Sequence, residues 1–208
     1  MKGKGLLLTS FLILALAVPS ISFAKDKEIK KTRKPTIFEV IEEEKYREEF
    51  FSKLKCDFPL DTIEHYPITS DFGLRKNPVR KRTGGPKEKD HVGWDIGAYR
   101  SKVYSIAEGK VVMRGYTKKA GKFIQIECDE KYKDFFSGEE KKITYSLLHL
   151  HKISVKIGER VKKGKIIAIS GNTGITKGAH LHFHLQIGEE YVDPKTIYPE
   201  YPYFEKNK

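Results

Sequence analysis

The chain begins with a short apolar run that stands apart from the polar sequence after it. The run extends from Leu6 to Val18, follows two early lysines, and precedes the small-x-small tripeptide Ser22–Ala24. A basic start, about a dozen apolar residues and such a tripeptide are typical of a secretory signal, whereas a membrane-spanning helix needs about 20. We therefore predict a signal peptide over residues 1–24 that is removed on export. An uncleaved membrane anchor is the alternative.

Residues 25–55 are predicted to form a charged arm followed by a helix. The arm, residues 25–35, is rich in lysine and has no periodicity. From Thr36 to Lys55 apolar residues recur at helical spacing, and Thr36 with Glu39 fits a capping box. We expect the apolar stripe of this helix to pack against the main domain. The stripe consists of Ile37, Val40, Ile41, Phe50, Phe51 and Leu54.

From Cys56 onward the pattern changes to short β-like runs separated by glycines. Apolar Ile124, Ile126 and Cys128 alternate with polar residues, which is the period of a strand. Strands are predicted at Val103–Ala107, Lys110–Tyr116, Gly121–Cys128, Lys142–Leu148, Ile153–Ile157, Lys165–Ser170 and His180–Ile187. The polar segment Asp129–Lys141 is predicted as a loop or the tip of a long hairpin. Closely spaced strands without interleaved helices indicate one mainly β, antiparallel domain over residues 56–208.

Composition and charge narrow the function without defining it. Hydrophobic residues make up 38% and charged residues 33%, which is typical of a soluble globular protein. The formal net charge of +12 would suit nucleic acid. Because the chain is predicted to be exported, we expect no nucleic-acid partner. Anionic polymers of the bacterial wall are the expected partner, and the charge would prolong residence on them.

The candidate chemistry lies in the histidines. Six of the seven fall in three short segments, which are His91-Val92-Gly93-Trp94-Asp95, His149-Leu150-His151 and Gly178-Ala179-His180-Leu181-His182-Phe183-His184. On a strand, the three histidines of the last segment project from one face, with neighbours about 7 Å apart. Imidazoles aligned in this way suit metal ligation or the pairing of a ligand with a catalytic group.

A His–Asp pair with one further histidine would give three protein ligands and leave a fourth position open. This count is typical of a catalytic zinc site. A four-cysteine site is excluded because the chain has only Cys56 and Cys128. His91 and Asp95 would lie about 13 Å apart on a straight strand. The chain is therefore expected to bend near Gly93, with His91 on the bent loop and Asp95 on a strand.

Four motifs together resemble one known family. They are Ile68-Thr69-Ser70-Asp71-Phe72-Gly73-Leu74-Arg75, His91-x-Gly93-x-Asp95-Ile96, His149-Leu150, and Gly171-Asn172-Thr173-Gly174 leading to His180-Leu181-His182-Phe183. In this order they are similar to the lysostaphin-type, LytM-like zinc metallopeptidases over about residues 67–187. The resemblance implies a small antiparallel β-sheet domain of the duplicated-hybrid-motif type with a substrate groove, here preceded by the N-terminal helix. It also implies hydrolysis of peptide bonds in bacterial peptidoglycan.

The resemblance further assigns roles to five residues. His91, Asp95 and His182 would bind zinc, and His149 and His180 would be the two catalytic imidazoles.

The sequence departs from the family pattern at two positions. Leu147 stands where the family usually has a tyrosine, which leaves both His149 and His151 open as the middle histidine. His149 is preferred because Leu150 follows it. His184 stands where an acidic residue is common, and either a position next to the ligand or simple exposure is open to it.

The predicted function is that of an exported zinc endopeptidase that cuts stem peptides or cross-links of peptidoglycan. It would act in the periplasm or cell envelope, or be secreted, without a stable membrane anchor after cleavage. A LytM-like regulator or wall-binding scaffold without catalysis is one alternative. A basic adhesin with incidental histidines is another. Because all five site positions carry the expected residue, we favour the enzyme.

The two cysteines carry a separate prediction. In an exported chain, Cys56 and Cys128 have one possible intramolecular pairing, so we predict a disulfide. One alternative is two separate buried thiols. The other is a Cys56 thiolate on the open zinc position, which would keep the enzyme latent.

Overall fold

The computed structural model describes residues 36–62, 65–83 and 85–199. The predicted signal peptide over residues 1–24 and the predicted arm over residues 25–35 lie outside these residues. Among the described helices, none combines the length and the apolar character that crossing a bilayer requires. The predicted division into a helical segment and a β domain at residue 56 remains a prediction.

The predicted N-terminal helix is present and is capped as expected. Helix α1 (Ile37–Leu54) begins after Thr36, whose side chain accepts a hydrogen bond from the Glu39 backbone. The Glu39 carboxylate in turn accepts one from the Thr36 backbone N–H at 2.9 Å, which completes the capping box. The helix ends at Lys55, which adopts a left-handed conformation with φ of 47°.

The C-terminal half of α1 packs on the β domain, whereas the N-terminal half does not. Phe51 is only 2% exposed, and Phe50 contacts Tyr132 edge to face with ring centroids 5.3 Å apart. Tyr46 makes a similar contact with Tyr132 at 5.8 Å. Ile37, in contrast, is 82% exposed. The predicted packing of Ile37, Val40 and Ile41 is therefore wrong, because Tyr46 shares the buried face of the helix with Phe50.

The β domain contains thirteen short and long strands within the described residues. They are β1 (Ile68–Ser70), β2 (Gly73–Lys76), β3 (Glu88–His91), β4 (Trp94–Ile96), β5 (Lys102–Tyr104), β6 (Gly109–Thr117), β7 (Gly121–Lys133), β8 (Glu140–Leu150), β9 (Lys152–Ile153), β10 (Arg160–Val161), β11 (Ile166–Ile169), β12 (Leu181–Ile187) and β13 (Glu190–Val192). A short helix α2 (Arg80–Thr83) and a 3-10 turn (Pro194–Thr196) complete the elements.

The strands form three sheets, and the described strand pairs are all antiparallel. The largest has the order β1-β4-β12-β8-β7-β6-β10, with β13 paired to β12. A second sheet has the order β5-β11-β9, and β2 and β3 form a separate hairpin. The predicted mainly β, antiparallel fold is confirmed.

Several predicted strands change length in the structure. The segment Asp129–Lys141 belongs to a long hairpin, because β7 continues to Lys133 and β8 begins at Glu140. The predicted strand Ile153–Ile157 is reduced to β9. After β9 the chain turns. The Lys156 N–H donates a hydrogen bond to the Glu159 carboxylate at 2.8 Å, and not to a carbonyl of a neighbouring strand. The short strands β1 to β3, β10 and β13 were not predicted, because two to four residues carry too little alternation, whereas the predicted strand at Asp95 is present as β4.

Strand β12 lies inside the large sheet, between β4 and β8, and this position organises the site. His182 pairs with Asp95 on one side and with Leu148 on the other. The residues that alternate with its histidines are fully buried in the core, with Leu181 and Phe183 both at 0% exposure. The apolar face anchors the strand, so the polar face is presented in a fixed orientation.

The two cysteines are free thiols, and the predicted disulfide is therefore wrong for this structure. Burial raises the pKa of the Cys56 thiol to about 12, so the thiol is protonated at neutral pH. Cys56 packs against the hydrophobic core and is not among the residues that line the histidine cavity. The geometry agrees with the alternative of separate thiols and disagrees with Cys56 as a metal ligand.

Candidate metal centre

His91 and Asp95 meet because the chain bends between two strands of different sheets. His91 is the last residue of β3, and Asp95 is the middle residue of β4. The bend lies at Gly93, as predicted, and only a glycine fits there. A Cβ on Gly93 would overlap the backbone of Phe183 in β12. His91 differs from the prediction in ending a strand instead of lying on a loop.

His91, Asp95 and His182 form a compact, buried cluster. The His91 Nε2 lies 3.1 Å from the Asp95 Oδ1 and 3.1 Å from the His182 Nδ1. The His182 Nδ1 lies 2.8 Å from the same carboxylate oxygen. Four tetrahedral ligands around zinc, at bond lengths near 2.1 Å, are separated by about 3.4 Å. Two imidazole nitrogens and one carboxylate oxygen at these separations therefore fit a zinc ion.

Neighbouring groups fix which atoms of His91 and Asp95 face the cluster. The His91 Nδ1 lies 2.5 Å from the Asp71 carbonyl oxygen. A carbonyl only accepts, so this nitrogen carries the hydrogen and the Nε2 lone pair is free for a metal. The Asp95 Oδ2 accepts a hydrogen bond from the Arg75 Nη2 at 3.1 Å, which leaves Oδ1 facing inward.

Asp95 is an ionised carboxylate in spite of its burial. Burial opposes ionisation, but the close contacts with His182 and His91 outweigh it and hold the pKa of Asp95 well below its usual range. The side chain therefore carries a full negative charge at neutral pH, which is the form of a carboxylate that binds metal ions.

His184 lies directly beside His182. The His182 Nε2 lies 3.2 Å from the His184 Nδ1, and the Tyr191 ring packs edge to face on His184 at 5.3 Å. Burial and the nearby His182 and His91 lower the pKa of His184 to about 3, so it is neutral at pH 7. A neutral imidazole can accept the Nε2 hydrogen of His182. The structure thus places His184 next to a candidate ligand and not on an exposed surface.

His149 and His180 form a second pair of imidazoles beside the cluster. Their ring centroids are 4.7 Å apart. The Nδ1 of His149 donates to the Thr173 carbonyl at 2.9 Å, and that of His180 donates to the Gly178 carbonyl at 2.8 Å. Both rings therefore keep a bare Nε2 in the neutral state. The His180 Nε2 lies 3.5 Å from the Asp95 Oδ1, so it faces the cluster.

The structure distinguishes His149 from His151. His149 is 8% exposed and lines the cavity that contains the cluster, whereas His151 is not among the lining residues. His149 adopts φ of 63°, a left-handed conformation, and its backbone N–H donates to the Ala120 carbonyl at 3.0 Å. Burial and the nearby His180 lower the pKa of His149 to about 4. Tyr145 does not take the place of the tyrosine that the family usually has before the middle histidine, because its hydroxyl forms a hydrogen bond with the Ser105 hydroxyl in the core.

The cluster opens into a cavity of about 920 Å³. Besides the histidines, its lining includes charged residues, of which sequence reasoning singled out only Asp95 as a site residue. The cations are Arg75, Lys89, Lys119 and Lys177, and the carboxylates are Asp90 and Asp95. Arg75 lies within one of the four motifs quoted above, but lysines of a strongly basic chain gave no sequence signal.

The structure combines an open His–Asp–His cluster with two oriented imidazoles on the same groove of an antiparallel β domain. This combination is that of a metallopeptidase. Residues 89–194 match the description Peptidase family M23, and the chain belongs to this family. This confirms the resemblance to the lysostaphin-type enzymes.

Similar proteins come from several bacteria. The chain is 35% identical over 137 residues to "Peptidoglycan DD-endopeptidase ShyB" of Vibrio cholerae. The aligned residues cover 65% of this chain and 28% of that protein. It is 31% identical over 157 residues to an "Uncharacterized metalloprotease" of Buchnera aphidicola, covering 71% of this chain and 39% of the relative. The aligned region is thus less than half of each relative.

A solved structure supports the fold assignment. The crystal structure of a zinc containing peptidase from Vibrio cholerae matches with a TM-score of 0.53 and 34% sequence identity. The match covers 67% of this chain and 38% of that one.

Proposed function

We propose that this chain is a zinc-dependent endopeptidase that hydrolyses peptide cross-links or stem peptides of bacterial peptidoglycan. The observation that carries the proposal is the orientation of four imidazoles, described above, around one carboxylate in an open cavity. The peptidoglycan substrate is supported by the similarity to the Vibrio cholerae DD-endopeptidase. Zinc is supported by the similarity in fold and sequence to a zinc containing peptidase.

The proposed zinc ligands are His91 through Nε2, Asp95 through Oδ1 and His182 through Nδ1. Zinc bound in this way supplies a Lewis acid that polarises the scissile carbonyl and lowers the pKa of a water from about 16 to about 7. Arg75 holds the second oxygen of Asp95, and the Asp71 carbonyl holds the far side of the His91 ring. These contacts fix the ligand atoms before any metal binds.

His180 is proposed as the general base and acid. Its Nε2 is bare in the neutral ring and faces the cluster, at 3.5 Å from the Asp95 Oδ1. It can take a proton from the attacking water and return it to the leaving amine. The Gly178 carbonyl stabilises the imidazolium that exists between these two steps, since it accepts the Nδ1 hydrogen.

His149 is proposed to orient the attacking water. It would also orient the oxygen atom that the reacting carbonyl carbon gains from this water. Its Nε2 faces the same cavity, and the Thr173 carbonyl fixes its ring. The lowered pKa of His149, about 4, keeps this ring neutral at pH 7, which suits a hydrogen-bonding role better than proton storage.

The proposed place of action is the periplasm or cell envelope, after removal of residues 1–24. Removal of Lys2 and Lys4 with this segment lowers the formal net charge from +12 to +10, which still favours binding to an anionic wall over binding to a neutral one. We expect neither a nucleic-acid partner nor a stable membrane anchor in the mature chain.

The direct test is incubation of the zinc-loaded mature protein with purified sacculi, followed by mass analysis of the released fragments. The expected result is release of soluble peptide fragments whose masses identify the bond that is cut. The His180→Ala variant is the matched control and should release few. Binding to sacculi without any release would support the alternative of an inactive wall-binding scaffold, and neither binding nor release would contradict both.

Replacing His184 with alanine is expected to weaken zinc binding by about 10- to 100-fold, the usual effect of removing a partner that orients a ligand. The reason is that the His182 Nε2 hydrogen loses its acceptor, so the ring is free to rotate. His184→Glu restores an acceptor and should recover most of the affinity. Chelator competition on the purified variants measures this directly.

His151→Ala is the control for that measurement, because it removes an imidazole outside the cavity. If His184→Ala and His151→Ala bind zinc equally well, the proposed role of His184 is wrong.

A further inference from the structure

The cavity around the His–Asp–His cluster carries an excess of positive charge. Among the described residues, four cations line it against two carboxylates. Asp95 is already engaged with Arg75 and with two imidazoles. Asp90 is exposed and forms no ion pair with the lining lysines in the described part of the chain. A bound zinc ion would add further positive charge at the floor of the cavity.

Two of these cations face each other directly across a hairpin. In the β2–β3 hairpin, Arg75 pairs with Lys89, whereas the next pair along is the complementary Lys76 with Glu88. Like charges directly opposite each other destabilise an antiparallel pair. The hairpin therefore keeps a favourable charge pair on one face and an unfavourable pair on the face that lines the cavity.

Lys89 is half-buried, yet it forms no ion pair with a carboxylate among the described residues. Its register partner Arg75 is a cation, and Lys119 lines the same cavity. The half-buried ammonium thus bears a cost of desolvation and of repulsion, which Asp95 offsets only in part because Arg75 already pairs with it. An anion placed beside it would offset both contributions.

Lys119 reaches the same cavity from a different element, the turn between β6 and β7. Its carbonyl accepts a hydrogen bond from the Ile175 N–H at 3.1 Å, and the adjacent Ala120 carbonyl accepts one from His149 at 3.0 Å. The Gly121 and Gly174 backbones pack so closely that neither has room for a Cβ. The base of the Lys119 side chain is therefore held in place beside the catalytic imidazoles.

We infer that Lys89 and Lys119 together form a carboxylate-binding subsite, and that the preferred peptide carries a free carboxylate near its scissile bond. The inference rests on the proposed function, in which the cavity is the peptide groove. Lys89 lies two residues before His91 on one strand, about 7 Å away, and an extended peptide advances about 3.3 Å per residue. The carboxylate would thus belong to a residue one or two positions from the bond that is cut.

This subsite separates two kinds of peptide by charge. A stem-peptide fragment with free carboxylates should be preferred over a neutral oligoglycine, because only the first can neutralise the Lys89–Lys119 pair. The preference should weaken at high salt, since the lysines lie in a partly open cavity.

The test uses three probes with the zinc-loaded mature protein. They are a cross-linked stem-peptide fragment with free carboxylates, the same fragment with its carboxylates converted to amides, and pentaglycine capped at both ends so that it carries no carboxylate. The measured quantity is the ratio of kcat/KM for the acid fragment to that for the amide fragment. Lys89→Gln and Lys119→Gln are each expected to lower this ratio by about tenfold, the effect of one charge-assisted hydrogen bond in a partly exposed site. The double variant should have almost no preference.

Lys162→Gln is the matched control. It removes one positive charge from an exposed position that does not line the cavity, so the ratio should stay at the wild-type value. An unchanged ratio in Lys89→Gln and Lys119→Gln would overturn the subsite, and so would an equal loss of activity on both fragments.

Binding measurements separate failure of the subsite from failure of the proposed function. The zinc-loaded His180→Ala variant is titrated with the acid and amide fragments, with and without Lys89→Gln. Tighter binding of the acid fragment that disappears with Lys89→Gln supports the subsite, even if the wild-type protein cleaves neither fragment. Equal binding of the two fragments overturns it, even if both are cleaved.

Discussion

Replacement of Asp95 or His182 by alanine is expected to remove zinc and peptidase activity together. Each side chain supplies one of three atoms that lie within about 3 Å of each other, and two ligands cannot hold the ion as three do. Elemental analysis should find about one zinc per chain in the wild-type protein, as a three-ligand catalytic site requires, and almost none in either variant. Activity on sacculi should be lost in parallel.

The more conservative Asp95→Asn tests the same assignment with less disturbance. It keeps the shape of the side chain but removes the charge that Arg75 and the two imidazoles stabilise. His151→Ala serves as the control, since it removes a histidine that lies outside the cavity. Full zinc content in both Asp95→Ala and His182→Ala would mean that the ligand assignment is wrong.

His180→Ala is expected to keep its zinc and to lose about 10²- to 10⁴-fold in kcat, the usual contribution of a general acid–base group. The His180 ring points its Nε2 at the cluster but stands 3.5 Å from the Asp95 oxygen, while its other nitrogen donates to the Gly178 carbonyl. It is therefore oriented for proton transfer without being one of the three ligands. Zinc content and turnover, measured on the same preparation, separate the two roles.

The same assay compares the two middle histidines. His149→Ala should lose far more activity than His151→Ala, because His149 lines the cavity and His151 does not. Near-normal turnover of His180→Ala would exclude it as the base, and His184 would be the next candidate to examine.

The sequence predicted those parts of the site that a regular strand carries. His182 and His184 alternate with fully buried apolar residues, so strand periodicity alone put them on one face of β12, and His180 directly precedes this strand. The helix cap at Thr36 was predictable for a similar reason, because a capping box depends only on residues three positions apart. Local spacing was sufficient in both cases.

Contacts between distant segments could not be predicted from spacing. That Arg75 binds Asp95 depends on a separate hairpin folding against the large sheet. The exposure of Ile37 depends on which face of α1 meets Tyr132, and the helix pattern alone allowed either face. The disulfide between the two cysteines was predicted only from the chemistry of an exported chain. The folded structure has them as free thiols.

The groups that orient the four imidazoles differ in how readily mutation can alter them. His91, His149 and His180 each donate to a main-chain carbonyl, of Asp71, Thr173 and Gly178 respectively. A side-chain substitution at those three positions leaves the carbonyl in the chain, so the tautomers of these rings are robust to point mutation. His182 alone is oriented by a side chain. Position 184 is therefore where variation among related proteins can adjust the basicity of a metal ligand by a single codon change, without rebuilding the surrounding loops.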